Sequence, residues 1–215
     1  IVPYEGEIDL EDLIHEQEVA ITLTNVGYIK RTSADTYKAQ RRGGKGIMGL
    51  TTREEDFVEK LLITSSHDMI LFITTFGRVY SLKGYEIPDA GRTAKGIAIV
   101  NLLQLQPEEK VATMIPITGF DDGKYLVIAT KSGIIKKTEL KAYSNMRKGG
   151  LIAVELRDED ELINAHLVDE DQDIMMVTRK GMSIRFNEKD VRATGRDSIG
   201  VKGITLREDD YVISM

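Results

Sequence analysis

Side-chain type and spacing point most directly to chemistry at Gln40-Arg41-Arg42-Gly43-Gly44-Lys45-Gly46. Three cations fall within residues 41–45, among glycines that let the backbone come close to an anion. Arginine presents a planar, bidentate donor fork to phosphate oxygens, and nearby main-chain N–H groups add further donors. The chemistry is phosphate binding of the kind that positions a nucleic acid without reading its bases. Two other phosphate loops are excluded. A Walker A loop needs Ser or Thr after its lysine, but Lys45 is followed by Gly46, and position 39, where its first glycine would stand, is Ala. Gly44-x-Gly46-x-x-Gly49 has the dinucleotide-binding spacing, with Asp68 about twenty residues on, yet residues 30–42 are too polar and basic to be the buried strand that must precede it.

Further cations recur at a similar phase along the chain. Residues 24–50 carry Lys30, Arg31, Lys38, Arg41, Arg42 and Lys45 against Asp35 alone. Residues 131–150 carry Lys131, Lys136, Lys137, Lys141, Arg147 and Lys148 against Glu139, and residues 179–202 hold seven basic residues against three acidic ones. Residues 155–173 hold nine acids and one Arg. A net charge of −6 looks wrong for a DNA binder, but segregation removes the objection, because equivalent parts of a repeat occupy equivalent places. The expected phosphate contacts are Lys30, Arg31 and Lys38 in the first repeat, and Arg78, Lys83, Arg92 and Lys95 in the second. Lys136, Lys137, Lys141, Arg147 and Lys148 follow in the third, and Arg185, Arg192, Arg196 and Lys202 in the fourth. Taken singly, each charge run could be no more than a solvated face.

No catalytic constellation accompanies them. His15, His67 and His166 are isolated in sequence and read as structural or solvated. Asp121-Asp122 beside Gly123 reads as a turn, as does the acidic run Asp158–Glu161, which a divalent cation could otherwise use. With no cysteine, disulfides and thiolate metal sites are excluded. No apolar run approaches the ~18 residues of a membrane span, and no signal-peptide pattern opens the chain.

The positioning elements are repeats. An apolar run, Thr, two variable residues and Gly recur at AITLTNVG, ILFITTFG, LVIATKSG and IMMVTRKG, ending at Gly27, Gly77, Gly133 and Gly181, spacings of 50, 56 and 48. A Lys-Gly step follows in each: Lys45-Gly46, Lys95-Gly96, Lys148-Gly149 and Lys202-Gly203. An acidic cluster then leads into another apolar run, at Glu55-Asp56-Phe57-Val58, Glu108-Glu109-Lys110-Val111, Asp160-Glu161-Leu162-Ile163 and Asp209-Asp210-Tyr211-Val212. A period near 50 suggests propeller blades or a related array. Val19, Ile21 and Leu23 alternate with Ala20, Thr22 and Thr24, as in a strand with one buried face, whereas the continuous run Ile70–Ile73 suits a strand covered on both. The glycine after Thr-x-x supplies a tight hairpin. Each repeat thus reads as strand, hairpin, strand, basic loop, strand, acidic turn and strand, most simply one four-stranded sheet per repeat. The expected fold is all-β, with residues 1–15 as an acidic lead-in and 16–215 as one domain of repeats 16–67, 68–123, 124–172 and 173–215.

The segment Gln40–Gly46 resembles the box that marks the C-terminal domain of the A subunit of DNA gyrase, in which the residue corresponding to Lys45 is commonly Arg. The resemblance runs from about Glu16 to Met215 through the Thr-x-x-Gly hairpins and Lys-Gly steps, whereas the A-type subunit of topoisomerase IV generally lacks an intact box. It implies a β-pinwheel, a propeller-like spiral whose adjacent blades exchange strands, with double-stranded DNA wrapped around a basic outer rim. The wrapped duplex would be presented as the transported segment. A heterotetrameric holoenzyme, built with the N-terminal core of the A subunit together with the B subunit, would then introduce negative supercoils. By the same resemblance this domain needs no cofactor and has no catalytic residue or metal site, while ATP and Mg act through other domains. The isolated domain is then expected to be a monomer, in the bacterial cytoplasm near the nucleoid and without a membrane. Pinwheels of this family have about six blades against the four repeats counted here, which implies a fragment. A protein-interaction scaffold with basic loops for acidic partners is the alternative from a different class.

Overall fold

The computed structural model describes residues 10–36, 56–120 and 123–215. Regular structure among them consists of β-strands and short 3-10 turns. The first repeat supplies β1 (Glu18–Thr24), β2 (Tyr28–Ser33) and β3 (Val58–Ser65). The second supplies β4 (Met69–Thr74), β5 (Arg78–Lys83), β6 (Ile97–Ala98) and β7 (Val111–Ile117). The third supplies β8 (Tyr125–Thr130), β9 (Ile134–Glu139), β10 (Leu151–Ile152) and β11 (Leu162–Val168). In the fourth are β12 (Asp173–Thr178), β13 (Ser183–Asn187), β14 (Val201–Lys202) and β15 (Val212–Ser214).

The hairpins form where the Thr-x-x-Gly motif places them. Gly27, Gly77, Gly133 and Gly181 all adopt positive φ, the left-handed region open to glycine. Each donates its amide to the carbonyl of the Thr three residues earlier. The threonine itself has a second role: its hydroxyl accepts the amide of Tyr28, Arg78, Ile134 or Met182 as the returning strand begins. The acidic cluster closes the same corner. The Glu109 carboxylate accepts from the Thr74 hydroxyl, Asp160 from the Ser132 amide and hydroxyl, and Asp210 from the Thr178 hydroxyl and Lys180 amide. These equivalences move the third acidic cluster by one residue, to Glu159-Asp160-Glu161, with Glu159 at positive φ like Glu108 and Asp209.

Sheet membership corrects the expectation of one sheet per repeat. Among the described residues the strand orders are β3-β1-β2-β6, β10-β5-β4-β7, β11-β8-β9-β14 and β13-β12-β15, three sheets of four strands and one of three. Each four-stranded sheet takes three strands from its own repeat and a two-residue strand from the next. Ile97 pairs with Ile29, Leu151 with Val79 and Val201 with Ile135. Immediately before each short strand a glycine at positive φ, Gly96, Gly150 or Gly200, turns the chain against its neighbour. In the fourth repeat the structural counterpart of Gly96 is therefore Gly200 and not Gly203.

The chain divides into two compact units, Ile1–Asp68 with Lys83–Ala98, and Met69–Leu82 with Ile99–Met215. The first unit holds the first sheet. Its β1 is buried at Val19, Ile21 and Leu23 as expected, but also at Ala20, Thr22 and Thr24, so the single-buried-face reading is corrected. Ala and Thr are small enough to sit on a covered face, and alternation of polarity did not report solvent there. Described residues of the lead-in hold this unit as well, with Lys83 donating to Glu11 and the His67 ring 2.9 Å from the Ile14 carbonyl. In the second unit alternate residues of β8 serve two cores. Leu126 and Ile128 join Leu71, Ile73 and Ile115, while Val127 and Ala129 join Ile174, Met176 and Val212. β8 is thus buried on both faces, as its continuous apolar run predicts.

Candidate nucleic-acid interface

Among the described residues, the segment between the second hairpin strand and the exchanged strand carries half of the exposed cations. In the second repeat it is seated along β2. The Arg31 amide donates to Pro88, the Ala90 amide to Arg31, and the Thr32 hydroxyl to Ala90. In the fourth repeat it runs along β9, with Ala193 bridged to Lys137 and the Thr194 amide donating to the Lys137 carbonyl. In the third, Arg78 donates to the Gly149 carbonyl. Backbone pairing in the second and fourth repeats, and a guanidinium contact in the third, therefore tie these basic loops to β2, β9 and β5.

The sixteen expected contact residues outside the box fall into four groups. Arg92 and Lys95, Lys141, Arg147 and Lys148, Arg185, Arg192 and Lys202 are exposed. Arg31, Arg78, Lys83 and Arg196 are half-buried. Lys83 pairs with Glu11 at 3.0 Å, and Arg31 with Asp89 at 3.9 Å. The box Gln40–Gly46 and Lys38 lie outside the described residues. Lys30, Lys136 and Lys137 are corrected: all three are buried, with their ammonium groups engaged by internal acceptors, so they cannot meet a phosphate. Lys30 donates to the carbonyls of Gly91, Arg92 and Ala94, and Lys136 to those of Ala153 and Arg196. Lys137 forms a buried ion pair with Glu188 and lies 4.5 Å from the centre of the Tyr125 ring. Nothing in the sequence signals this, because a lysine in a short basic run reads the same whether its tip is outside or inside.

Two aromatic residues not singled out by sequence support the loops. The Lys95 ammonium sits 3.6 Å from the centroid of the Tyr28 ring, a cation–π contact that orders an exposed cation. The Tyr80 hydroxyl donates to the Gln104 carbonyl and contacts the Glu109 carboxylate, and its burial pushes its pKa up. A third tyrosine, Tyr143, is pushed up to about 12 by burial. Burial also lowers the Lys136 pKa to about 8, with Asp197 and Glu155 opposing the shift and Arg196 adding to it. The unfolded chain therefore binds more protons than the folded one between about pH 8 and the ordinary 10.5, and the Lys136 contribution to stability rises with pH across that window. The urea midpoint of the chain, minus that of its Lys136→Met variant, is expected to increase between about pH 7.5 and 9.5; a flat difference would refute the assignment.

Among the described residues no group of three or more His, Cys, Asp or Glu is placed to hold a metal ion, and no helix is long and apolar enough to cross a membrane. Asp160, in the run considered for a cation, is engaged by Ser132. His166 contacts the Met215 carbonyl, and Asp121-Asp122 lies outside the described residues. What the arrangement offers is equivalent basic loops with exposed cations, each held by β-structure.

Comparison with known proteins follows the same repeats. A family model described as "DNA gyrase C-terminal domain, beta-propeller" matches residues 19–65, 68–118, 124–169 and 172–215. The DNA gyrase A subunit of Clostridium acetobutylicum is 58% identical over 199 residues, which are 93% of this chain and 24% of that protein. The Streptomyces coelicolor counterpart is 46% identical over 222 residues, covering all of this chain and 26% of that one. The chain thus spans about a quarter of the length of these relatives. Among solved structures, a DNA gyrase A C-terminal domain superposes with TM-score 0.74 at 31% identity, over 92% of this chain and 64% of that one. The C-terminal domain of a DNA topoisomerase IV superposes with TM-score 0.77, also at 31% identity, over 94% and 61%. With the family model recurring on all four repeats, the chain belongs to the DNA gyrase C-terminal domain family of β-propeller proteins.

Proposed function

We propose that this chain binds and wraps duplex DNA as part of a gyrase A subunit, without catalysing a reaction itself. The observation that carries the proposal is the recurrence of exposed cations in one structural loop: Arg92 and Lys95, Arg147 and Lys148, then Arg192. Phosphate contacts from such loops are independent of base sequence. Bending a 20–30 base-pair site by 40–90° costs about 1–6 kcal/mol, which contacts spread over several loops can offset. The box Gln40–Gly46 would fasten the duplex at one end and so close the wrap. In the holoenzyme the wrapped DNA would be the transported segment. The core of the A subunit would work with the B subunit, ATP and Mg to supply cleavage, passage and energy. The domain itself would use no cofactor, remain monomeric and act in the bacterial cytoplasm.

The test is topological. The chain is incubated with nicked circular DNA, the nick is ligated, the protein removed and the linking number counted. A positive shift per bound protein that fades with salt is expected, with affinity falling by about 10³–10⁵ between 50 and 200 mM salt if roughly six to ten phosphates are neutralised. Binding without any shift would refute wrapping; no binding at low salt would refute the DNA reading and favour an acidic protein partner. The fold is shared with the topoisomerase IV domain, so a second reading is a module that selects DNA crossings and wraps weakly. The box sequence favours the gyrase type. Changing Arg41, Arg42 and Lys45 to Ala is expected to abolish the linking shift more completely than binding; equal loss of both would refute that division of labour.

A further inference from the structure

Lys30 and Lys136 stand at the same place in their repeats, three residues beyond the hairpin glycines Gly27 and Gly133. Both ammonium groups are withdrawn from solvent, an arrangement that is unfavourable unless the charge is satisfied by specific acceptors. Apart from Ala153, the acceptors belong to the basic loop of the following repeat. Lys30 holds the carbonyls of Gly91, Arg92 and Ala94, and Lys136 holds that of Arg196 together with Ala153. Arg92 and Arg196 are themselves equivalent, each four residues before the positive-φ glycine that opens the exchanged strand, Gly96 or Gly200. The same donor therefore grips the same carbonyl in two independent copies. A trans peptide sets its C=O and the next N–H in opposite directions. Drawing the arginine carbonyl toward the buried ammonium turns the N–H of Thr93, or of Asp197, away from it. In the second repeat the position is Tyr80, whose hydroxyl reaches Gln104, and the next loop is held from Arg78 through Gly149.

We infer that Lys30 and Lys136 are positioning residues for DNA binding, fixing the main chain of the basic loops so that Arg92 and Arg196 meet phosphate in a set geometry. This rests on the DNA-binding reading above. Neither lysine touches the nucleic acid; each acts through the arginine whose carbonyl it holds. A loop fixed before binding loses less conformational freedom on binding, and that difference appears as affinity.

The experiment is a mutant cycle on the 215-residue chain with a duplex oligonucleotide, read by fluorescence anisotropy at low salt, with urea melting to establish that each variant folds. The Lys30→Met, Lys136→Met double variant is expected to bind about tenfold more weakly than the unaltered chain. In an Arg92→Ala, Arg196→Ala background the same two changes should weaken binding by less than about twofold, because the groups they position are gone. Unchanged affinity of the folded Met variant, or an undiminished loss in the alanine background, would overturn the inference. If the Met variants do not fold, Lys30→Gln and Lys136→Gln, uncharged and one atom too short to hold the arginine carbonyl as lysine does, take their place in the same cycle with the same expected losses. If the unaltered chain binds no DNA, the DNA-binding reading fails by itself. Hydrogen exchange then decides the anchor: amides of residues 92–95 and 195–198 should exchange faster in the substituted chain while those of β2 and β9 do not, and equal rates would refute it.

Discussion

Replacing Gly200 with alanine is expected to destabilise the chain by about 3 kcal/mol and to detach β14 from the third sheet. Gly200 sits at φ +97°, where a Cβ is strained whatever the surrounding space. The added carbon would also lie 2.6 Å from the Ile135 carbonyl oxygen and 3.0 Å from the Ile134 and Lys136 side chains. That oxygen is main chain within β9, so the contact can be relieved only by moving the two strands apart. The pairings of Val201 with Ile135 and Lys202 with Ile134 would then open. Urea denaturation measures the stability, and amide exchange in residues 134–135 and 201–202 measures the opening. Gly195→Ala, where the new carbon meets nothing within 4 Å, is the control and should be nearly neutral. Equal effects at the two sites would show that the close approach does not matter. Gly150, whose Cβ would stand 2.8 Å from the Val79 carbonyl, should behave like Gly200.

Glu188→Ala is expected to cost about 3–5 kcal/mol, the usual penalty when one member of a buried ion pair is removed. Lys137 would keep its charge and its hydrogen bond to the Glu188 carbonyl, at 3.2 Å, but lose the carboxylate that balances it. The Asp171 amide, which donates to the same carboxylate, would lose that acceptor too. Thermal or urea unfolding checks the size. The pH dependence supplies a separate check. The hydrogen bond from Lys137 holds the Glu188 carboxyl below its ordinary 4.5. The folded state therefore binds fewer protons than the unfolded one around that pH, and stability falls as acid protonates the pair. Its contribution is fully present above about 4.5 and is lost as pH drops through the lower folded value. Between about pH 6 and pH 3 the unaltered chain should lose more stability than Glu188→Gln; parallel curves would remove the pair from the account of acid sensitivity.

Much of the fold was legible because its signals are local. A glycine three residues after Thr, with an apolar run before it, marks a hairpin whichever repeat it occurs in. Gly27, Gly77, Gly133 and Gly181 all proved to be such corners. The exchanged strands were not legible from the residues, since Ile97-Ala98 and Val201-Lys202 are too short for a period of two to show. Their partners are also distant in sequence. The misaligned Lys202-Gly203 step has the same origin: a dipeptide match cannot tell which glycine carries the positive φ, and the backbone puts it at Gly200. For the interface the phase of the basic loops could be read, but the depth of each cation could not. Lys30 and Lys95 are both lysines in basic stretches of equivalent repeats. One is almost fully buried and the other exposed over Tyr28. Lys30 lies within β2 and Lys95 in the loop before β6, and the loop carbonyls that face the Lys30 ammonium are brought into place only by the folded backbone.

The borrowed strands constrain how a gene for such a chain can lengthen or shorten. Sheets one to three are each completed by residues lying some seventy positions downstream of the hairpin they join, as Ile97 is of Ile29. A tandem duplication or deletion preserves every pairing only when its two breakpoints fall at matching points of the roughly 50-residue period. Unmatched breakpoints would leave one hairpin without its exchanged strand and expose an unpaired edge, a hazard for aggregation. Matching breakpoints can fall anywhere within the period, inside a strand as well as between repeats. The lineage can therefore change its number of repeats freely while the length of each stays nearly fixed.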